Sequence, residues 1–267
     1  MFESKPKIIL SRLSSKIHIG FSLHLQFKNQ PDMKIRALFY LGFLFFTTVI
    51  FSQNEQYKEL MSQDWPNLKR YRESNEQLKQ ENKRITAVFM GNSITQGWYD
   101  QHPEFFTENN YIGRGISGQT TPQMLIRFTP DVIDLQPKVV VILAGTNDIA
   151  GNTGFSSVKM ITDNIKAMAQ LATANNIKVV LSSILPVYDY PWRPGLEPVS
   201  KIAEINNWLK NYAQENNHVY LDYFPELANT EQGMKKEYAS DGVHPTSSGY
   251  DVMQPLVKEA IEKALKK

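Results

Sequence analysis

Residues 85–95 read ITAVFMGNSIT, and they combine an apolar run with a tight turn. The run from Ile85 to Met90 is short and rich in residues that favour β-structure, and it stops at Gly91. Such a run predicts a buried strand that enters a turn. The strand is therefore expected to place the residues after Gly91 at one edge of a sheet.

The same pattern of a strand that ends at a turn residue recurs along the chain. Val139–Ala144 runs into Gly145, Lys178–Ile184 runs into Pro186, and Val219–Asp222 is a further candidate strand. Helical patterns cover Pro122–Leu135, Ser156–Asn175 and Ser247–Lys266. Strands that alternate with helices of this length predict a parallel sheet covered on both faces, with its loops meeting beyond the carboxyl ends of the strands. The fold class is therefore α/β, a single three-layer α/β/α domain.

Composition excludes several kinds of partner and chemistry. The 267 residues carry 29 basic and 27 acidic side chains, a net charge of +2, which creates no long-range field for nucleic acid. There is no cysteine, so disulfides, thiolate zinc sites, a cysteine nucleophile and a lipoprotein anchor are all excluded.

The N-terminus has the pattern of an export signal. From Met33 a short basic stretch precedes the apolar run Ala37–Phe51, which ends at Ser52. This run is shorter than the roughly 20 residues of a spanning helix and has the layout of a secretory signal peptide. We expect an exported protein, cleaved near Ser52 and not inserted in the membrane afterwards; an uncleaved anchor is the alternative. Residues 1–32 precede a possible start codon, so 1–52 is treated as an N-terminal extension and signal peptide.

Residues 53–84 form a polar segment with apolar residues at helical spacing. The pattern predicts an amphipathic helix broken near Pro66. Its stripe, which includes Trp65, Leu68 and Leu78, is expected to dock on the domain at 85–267, although a role in binding a partner is an alternative.

Two short motifs carry candidate catalytic residues. Ser93 lies on the turn after the first strand, where a hydroxyl and a backbone amide face the same space. Asp241 lies three residues before His244 in DGVHP, a spacing that lets a carboxylate orient the imidazole as the base for a serine. Taken alone, the first motif also fits a helix cap and the second a surface turn in which Asp241 caps the following helix.

Two further segments offer groups that could stabilise negative charge on an acyl oxygen. Residues 113–118 form a glycine-rich loop that ends at Gly118, and Asn147 follows the strand that ends at Gly145. Preorganised backbone and side-chain amides serve this purpose. A plain turn and a helix cap explain each segment equally well on its own.

Together the four motifs, in this order, resemble the SGNH hydrolases, also called the GDSL esterase and lipase family, near the branch similar to platelet-activating-factor acetylhydrolase catalytic subunits. The resemblance covers Ile85–Lys267 and implies a flavodoxin-like sheet of about five parallel strands. It also implies a carboxylic ester hydrolase without metal or cofactor. The catalytic residues that it implies are Ser93, Asp241 and His244, with an oxyanion hole of Ser93, Gly118 and Asn147.

The sequence departs from the family pattern at two positions. Asn92 stands where the family usually has Asp, and Gln119 stands where Asp is frequent. Neither residue is a nucleophile, base or oxyanion donor, so we expect effects on loop packing or specificity.

Aromatic residues near the predicted site suggest the substrate. Those that could form a platform for a sugar ring, or simply pack the loops, are Trp98, Tyr99, Tyr188, Tyr190 and Trp192, with Arg193 beside them. We therefore favour a serine esterase that removes short acyl groups, chiefly acetyl, from a small-molecule or glycan ester. The alternatives are a lysophospholipase or thioesterase for longer acyl chains and a glycan-binding protein without turnover.

Overall fold

The computed structural model describes Tyr40 and residues 55–267, and its contacts divide the chain into two units, Met1–Gln63 and Asp64–Lys267. In the first unit, residues 55–62 are helical and expose Tyr57, Leu60 and Met61. Apart from Tyr40, the predicted extension and signal peptide lie outside the described residues. Among the residues that are described, no helix is long and apolar enough to span a bilayer.

Five parallel strands form one sheet in the second unit. They are β1 (Ala87–Gly91), β2 (Tyr111–Gly115), β3 (Val139–Leu143), β4 (Lys178–Ser182) and β5 (Val219–Leu221), in the spatial order β2-β1-β3-β4-β5. This is the order of flavodoxin-like folds. The predicted α/β/α sandwich with a five-stranded parallel sheet is confirmed.

Helices cover both faces of this sheet. Their bounds are α1 (Arg72–Gln80), α2 (Ser93–Gln101), α3 (Pro103–Glu108), α4 (Thr121–Asp131), α5 (Thr146–Ile149), α6 (Val158–Ala174), α7 (Pro198–Glu215), α8 (Phe224–Leu227) and α9 (Ser247–Leu265). Because side chains alternate along a strand, Val88 and Met90 enter one core with α4, α6 and α7, whereas Ala87 and Phe89 enter the other with α2, α3 and α9. Burial of apolar surface on both faces stabilises the sheet.

The glycine-rich segment at 113–118 is not a loop throughout, as the sequence suggests. Tyr111–Gly115 is the edge strand β2, and only the residues after Gly115 form a turn. A Cβ atom at Gly115 would lie 2.2 Å from the Gln96 backbone nitrogen. Glycine is therefore required here because α2 packs directly against the end of β2.

Part of the N-terminal segment belongs to the unit Asp64–Lys267. The helical pattern is interrupted around Pro66 and resumes in α1. The predicted apolar stripe is only partly covered, since Trp65 and Leu68 are exposed. Polar contacts hold the segment instead: the Tyr71 hydroxyl donates to the Gly115 carbonyl, and Asn75 Nδ2 donates to Asp131 Oδ1 at 2.7 Å.

Candidate active site

The serine turn is built by the junction of β1 and α2. Asn92 caps α2, with its Oδ1 accepting a hydrogen bond from the Ile94 amide at 3.0 Å, and Ser93 is the first residue of the helix. A Cβ atom at Gly91 would lie 2.0 Å from Thr95 Oγ1 and 2.8 Å from Thr95 Cβ, so glycine allows the first turn of α2 to pack close to the end of β1. The half-buried Ser93 side chain therefore stands at the N-terminus of a helix, beyond the carboxyl edge of the sheet.

The structure brings Ser93, His244 and Asp241 together. Ser93 Oγ lies 2.9 Å from His244 Nε2, across 151 positions of sequence. His244 Nδ1 lies 2.6 Å from Asp241 Oδ2. This geometry allows the imidazole to take a proton from the hydroxyl while the carboxylate stabilises the imidazolium.

Asp241 is fixed by its own turn and does not cap the following helix. Its Oδ1 accepts hydrogen bonds from the Val243 amide at 2.9 Å and the His244 amide at 2.8 Å, whereas Thr246 caps α9. Burial acts to raise the pKa of Asp241, but hydrogen bonds from the backbone and ring of His244 and from Val243 outweigh it. The pKa of this carboxyl therefore lies below its usual value.

Gly118 lies in a turn that is tied to the serine helix. The Ile116 amide donates to the Gly91 carbonyl at 3.2 Å, and the Ser117 amide donates to Gln96 Oε1 at 3.0 Å. Gly118 has a φ of +76°, in the left-handed region that favours glycine, and beyond its two chain neighbours no atom of the described residues lies within 4 Å of the position of a Cβ there. The turn therefore presents an open side.

Asn147 is anchored beside this turn. Its side chain is buried, and Nδ2 donates to the Gln119 carbonyl at 2.9 Å. The residue belongs to α5, which begins directly after Gly145 at the end of β3. Gly118 and Asn147 are 29 positions apart in the sequence. The hydrogen bond from Asn147 to Gln119, the residue after Gly118, therefore links the two segments.

Asp148, the residue after Asn147, has a structural role that the sequence analysis did not identify. The buried carboxylate accepts hydrogen bonds from the Thr121 amide, at 3.1 and 3.0 Å, and from Thr121 Oγ1 at 2.6 Å. It thereby anchors α5 to the start of α4. Burial raises the pKa of Asp148 to about 6, against the opposing effect of the Thr121 hydrogen bonds.

Three of the six candidate substrate contacts, Tyr188, Trp192 and Arg193, lie in the loop after β4 and expose at least part of the side chain. The Trp192 ring lies 6.0 Å from the His244 ring and is 45% exposed, and Tyr188 is also exposed. Arg193 Nη1 donates to the Ala150 and Gly151 carbonyls, both at 2.7 Å, so it ties this loop to the one after α5.

The other three need correction. Trp98 is 1% exposed because it packs among Phe105, Tyr250 and other core aromatics, so it forms no platform. Tyr190 is fully buried and bonds Thr146 Oγ1 at 2.9 Å, which makes it a support for Trp192. Tyr99 is exposed, but it lines a separate cavity of about 380 Å³ beside α1 and β2. The lining of that cavity does not include Ser93, Asp241 or His244.

Within the described part of the chain, no cluster of three or more acidic or histidine side chains could hold a metal ion. The groups that the structure brings together at this site are a hydroxyl, an imidazole, a carboxylate and amides.

Comparison with known proteins adds the family. The model of the GDSL-like lipase/acylhydrolase family matches residues 89–252. A candidate acylhydrolase from Bacteroides fragilis is 46% identical, with a TM-score of 0.73, over 76% of this chain and 100% of that one. A GDSL-like lipase from Bacteroides thetaiotaomicron is 46% identical, with a TM-score of 0.72, over 75% of this chain and 100% of that one. The lipoprotein YqeF of Bacillus subtilis is 32% identical over 81 residues, which are 29% of this chain and only 33% of that protein.

Proposed function

This chain belongs to the GDSL-like lipase/acylhydrolase family, and from that premise we propose that it is an exported serine esterase that removes short acyl groups, chiefly acetyl, from carbohydrates. The observation that carries the proposal is the hydrogen-bonded series from Ser93 through His244 to Asp241. A hydroxyl is a weak nucleophile, and a base within hydrogen-bond reach activates it.

The proposed mechanism has two acyl-transfer steps. His244 takes the Ser93 proton as Oγ attacks the ester carbonyl, and the tetrahedral intermediate collapses when the imidazolium protonates the leaving alcohol. His244 then deprotonates a water molecule that attacks the acyl-enzyme, and the acid leaves as Ser93 regains its proton. Asp241 stabilises the imidazolium in both steps.

The proposed oxyanion donors are the Ser93 and Gly118 amides and Asn147 Nδ2. The open side of Gly118 supports this role, as does the second N–H of the Asn147 amide, because only one is needed for Gln119. Such donors stabilise charge that develops in the transition state, and they need no reorganisation during the reaction.

The surroundings of the site support a small acyl group on a sugar. The Asn147 and Asp241 side chains of the site are polar, and the exposed face of Trp192 lies beside the base, where a sugar ring could stack.

The test is turnover of p-nitrophenyl acetate together with labelling by a fluorophosphonate. We expect hydrolysis, a label that mass spectrometry locates on Ser93, and loss of both in Ser93→Ala without a change in melting temperature. Turnover retained by that folded variant would contradict the mechanism.

Substrate class needs a separate comparison. Acetate release from acetylated oligosaccharides is expected to exceed cleavage of lysophosphatidylcholine, and activity on p-nitrophenyl esters is expected to fall from acetate to octanoate. A rising chain-length series would favour a lysophospholipase or thioesterase. Glycan affinity without any ester cleavage would indicate a binding protein.

Export is proposed from the apolar run at 37–51. Mass spectrometry of secreted material is expected to place the mature N-terminus near Gln53. A mature chain that begins at Met1 would contradict this proposal.

A further inference from the structure

Gln119 connects three separate parts of the chain through one buried residue. Its Oε1 accepts a hydrogen bond from Arg127 Nε at 2.6 Å, and its Nε2 donates to the Pro66 carbonyl at 2.7 Å. Its own carbonyl accepts the hydrogen bond from Asn147 Nδ2 at 2.9 Å. The side chain thus fixes the same residue whose backbone orients a proposed oxyanion donor.

Arg127 extends this connection to the strand that precedes the nucleophile. It is fully buried, and its guanidinium donates to the Gly91 carbonyl through Nη2 and to Asp131 Oδ2 through Nη1, both at 2.8 Å. A guanidinium is planar and presents its donors in a fixed fork, so these bonds constrain one another. The end of β1 and the side chain of Gln119 are therefore held in one rigid arrangement.

An amide is the group that this position requires. A carboxylate could accept from Arg127, but it has no N–H for the Pro66 carbonyl and would place negative charge against that oxygen. Aspartate would also be shorter by one methylene. The glutamine at 119 therefore suits a chain in which residues 64–71 cover this part of the domain.

We infer that Gln119 is a positioning residue for the oxyanion donor Asn147, and that residues 64–71, which precede the family-matched region, take part in positioning it through Pro66. The inference rests on the proposed function, in which Asn147 binds the developing oxyanion. Loss of the Gln119 side-chain bonds is expected to act on the transition state more than on substrate binding, which is a change in kcat and not in KM.

The test compares two glutamines that bind the same segment. Gln119→Glu keeps the acceptor for Arg127 and loses the donor to Pro66, whereas Gln119→Met removes both bonds at similar length without adding charge. Gln123→Glu is the matched control, because Gln123 Nε2 donates to the neighbouring Trp65 carbonyl at 2.8 Å, whereas the side-chain amide of Asn147 bonds Gln119 and not Gln123. Its glutamate can still accept from the Thr120 amide, as Gln123 does.

Rates are measured per active site titrated with the fluorophosphonate, so that unfolded protein does not contribute. We expect kcat for p-nitrophenyl acetate to fall about tenfold in Gln119→Glu and further in Gln119→Met, with KM within about twofold. Gln123→Glu is expected to keep kcat within about twofold. Equal losses in the two glutamate variants, or no loss in either Gln119 variant, would overturn the inference.

Hydrogen exchange separates this inference from the proposed function. Both Gln119 variants are expected to exchange faster at 116–121, whereas Gln123→Glu exchanges faster only near residue 65. A parent protein without esterase activity or label would reject the proposed function, while unchanged exchange at 116–121 in Gln119→Met would reject the positioning role itself.

Discussion

His244 Nδ1 lies 2.6 Å from Asp241 Oδ2, and the same carboxylate also accepts the His244 backbone amide at 2.8 Å. One side chain therefore fixes both the ring and the backbone of the histidine. The orientation of the imidazole toward Ser93 depends on a single carboxylate three residues away.

We predict that Asp241→Asn lowers kcat for p-nitrophenyl acetate by about a hundredfold to ten-thousandfold, because an amide neither stabilises the imidazolium nor holds the required tautomer. Steady-state kinetics with active-site titration measures this. The exposed Asp222, which accepts from the Phe224 amide, provides the control Asp222→Asn, which should keep parental activity. Equal activity in the two variants would remove Asp241 from the mechanism.

Asn147→Ala is predicted to lower kcat by about a hundredfold to a thousandfold, the usual cost of removing one oxyanion donor. KM should change little, since the lost contact forms mainly in the transition state. Asn175→Ala, at the exposed end of α6, is the control and should behave as the parent. A loss confined to KM would instead assign Asn147 to substrate binding.

Asp148→Asn is predicted to change how stability depends on pH. The pKa of Asp148 is raised to about 6, so the folded state holds this proton more tightly than the unfolded state. The resulting contribution to the free energy of unfolding is fully present below about pH 4 and is lost as pH rises through 6. A shift of this size corresponds to about 3 kcal/mol. The variant lacks this titration, so its deficit relative to the parent should be largest at pH 4 and shrink by pH 7.

Urea denaturation at pH 4, 5.5 and 7 measures this change in the free energy of unfolding. Asp163→Asn, which removes an exposed pair with Lys159, should show almost no effect of this kind. A deficit in Asp148→Asn that is the same at all three pH values would show that burial does not perturb this carboxyl.

Trp192→Ala is predicted to raise KM for an acetylated oligosaccharide about fivefold while KM for p-nitrophenyl acetate changes less than about twofold, because only the sugar requires the aromatic face. Tyr99→Ala is the control, since Tyr99 is exposed but lines a different cavity. Parallel losses on both substrates would mean that Trp192 supports His244 instead.

Gly115→Ala is predicted to destabilise the protein by at least about 2 kcal/mol, because its Cβ would lie 2.2 Å from one backbone atom of α2 and 2.6 Å from the Asn92 carbonyl oxygen. Thermal unfolding measures the loss. Gly97→Ala should cost less, since its nearest neighbour is the Tyr250 hydroxyl at 3.0 Å and alanine favours a helix.

The extent to which sequence predicts this fold depends on burial. The sequence predicts β1, β3 and β4 because strands covered on both faces are continuous apolar runs. β2 reads YIGRG, whose glycines and arginine resemble a loop. Tertiary contacts with α1 and α2 explain these glycines and this arginine, and a local sequence pattern carries no information about such contacts.

The candidate site also has one part that the sequence predicts and one part that it does not. The spacing of Asp241 and His244 suffices to predict their contact, because it forms within one turn. The buried network around Arg127 is not predicted, although Arg127 and Asp131 share the buried face of α4 with Met124 and Phe128. Charged residues at that spacing on an apolar stripe were the available signal, but their partners lie far away in sequence.

The outer edge of β2 shows why the chain before residue 85 matters for solubility. β2 ends the sheet, and its backbone groups there meet Tyr71 from the N-terminal segment and the guanidinium of Arg114, which Asn75 Oδ1 holds at 2.9 and 2.7 Å. A chain shortened to Ile85 would expose a strand edge and remove the Asn75 acceptor from the buried guanidinium of Arg114. An exposed strand edge can pair with strands of other molecules, so such a truncation would favour self-association.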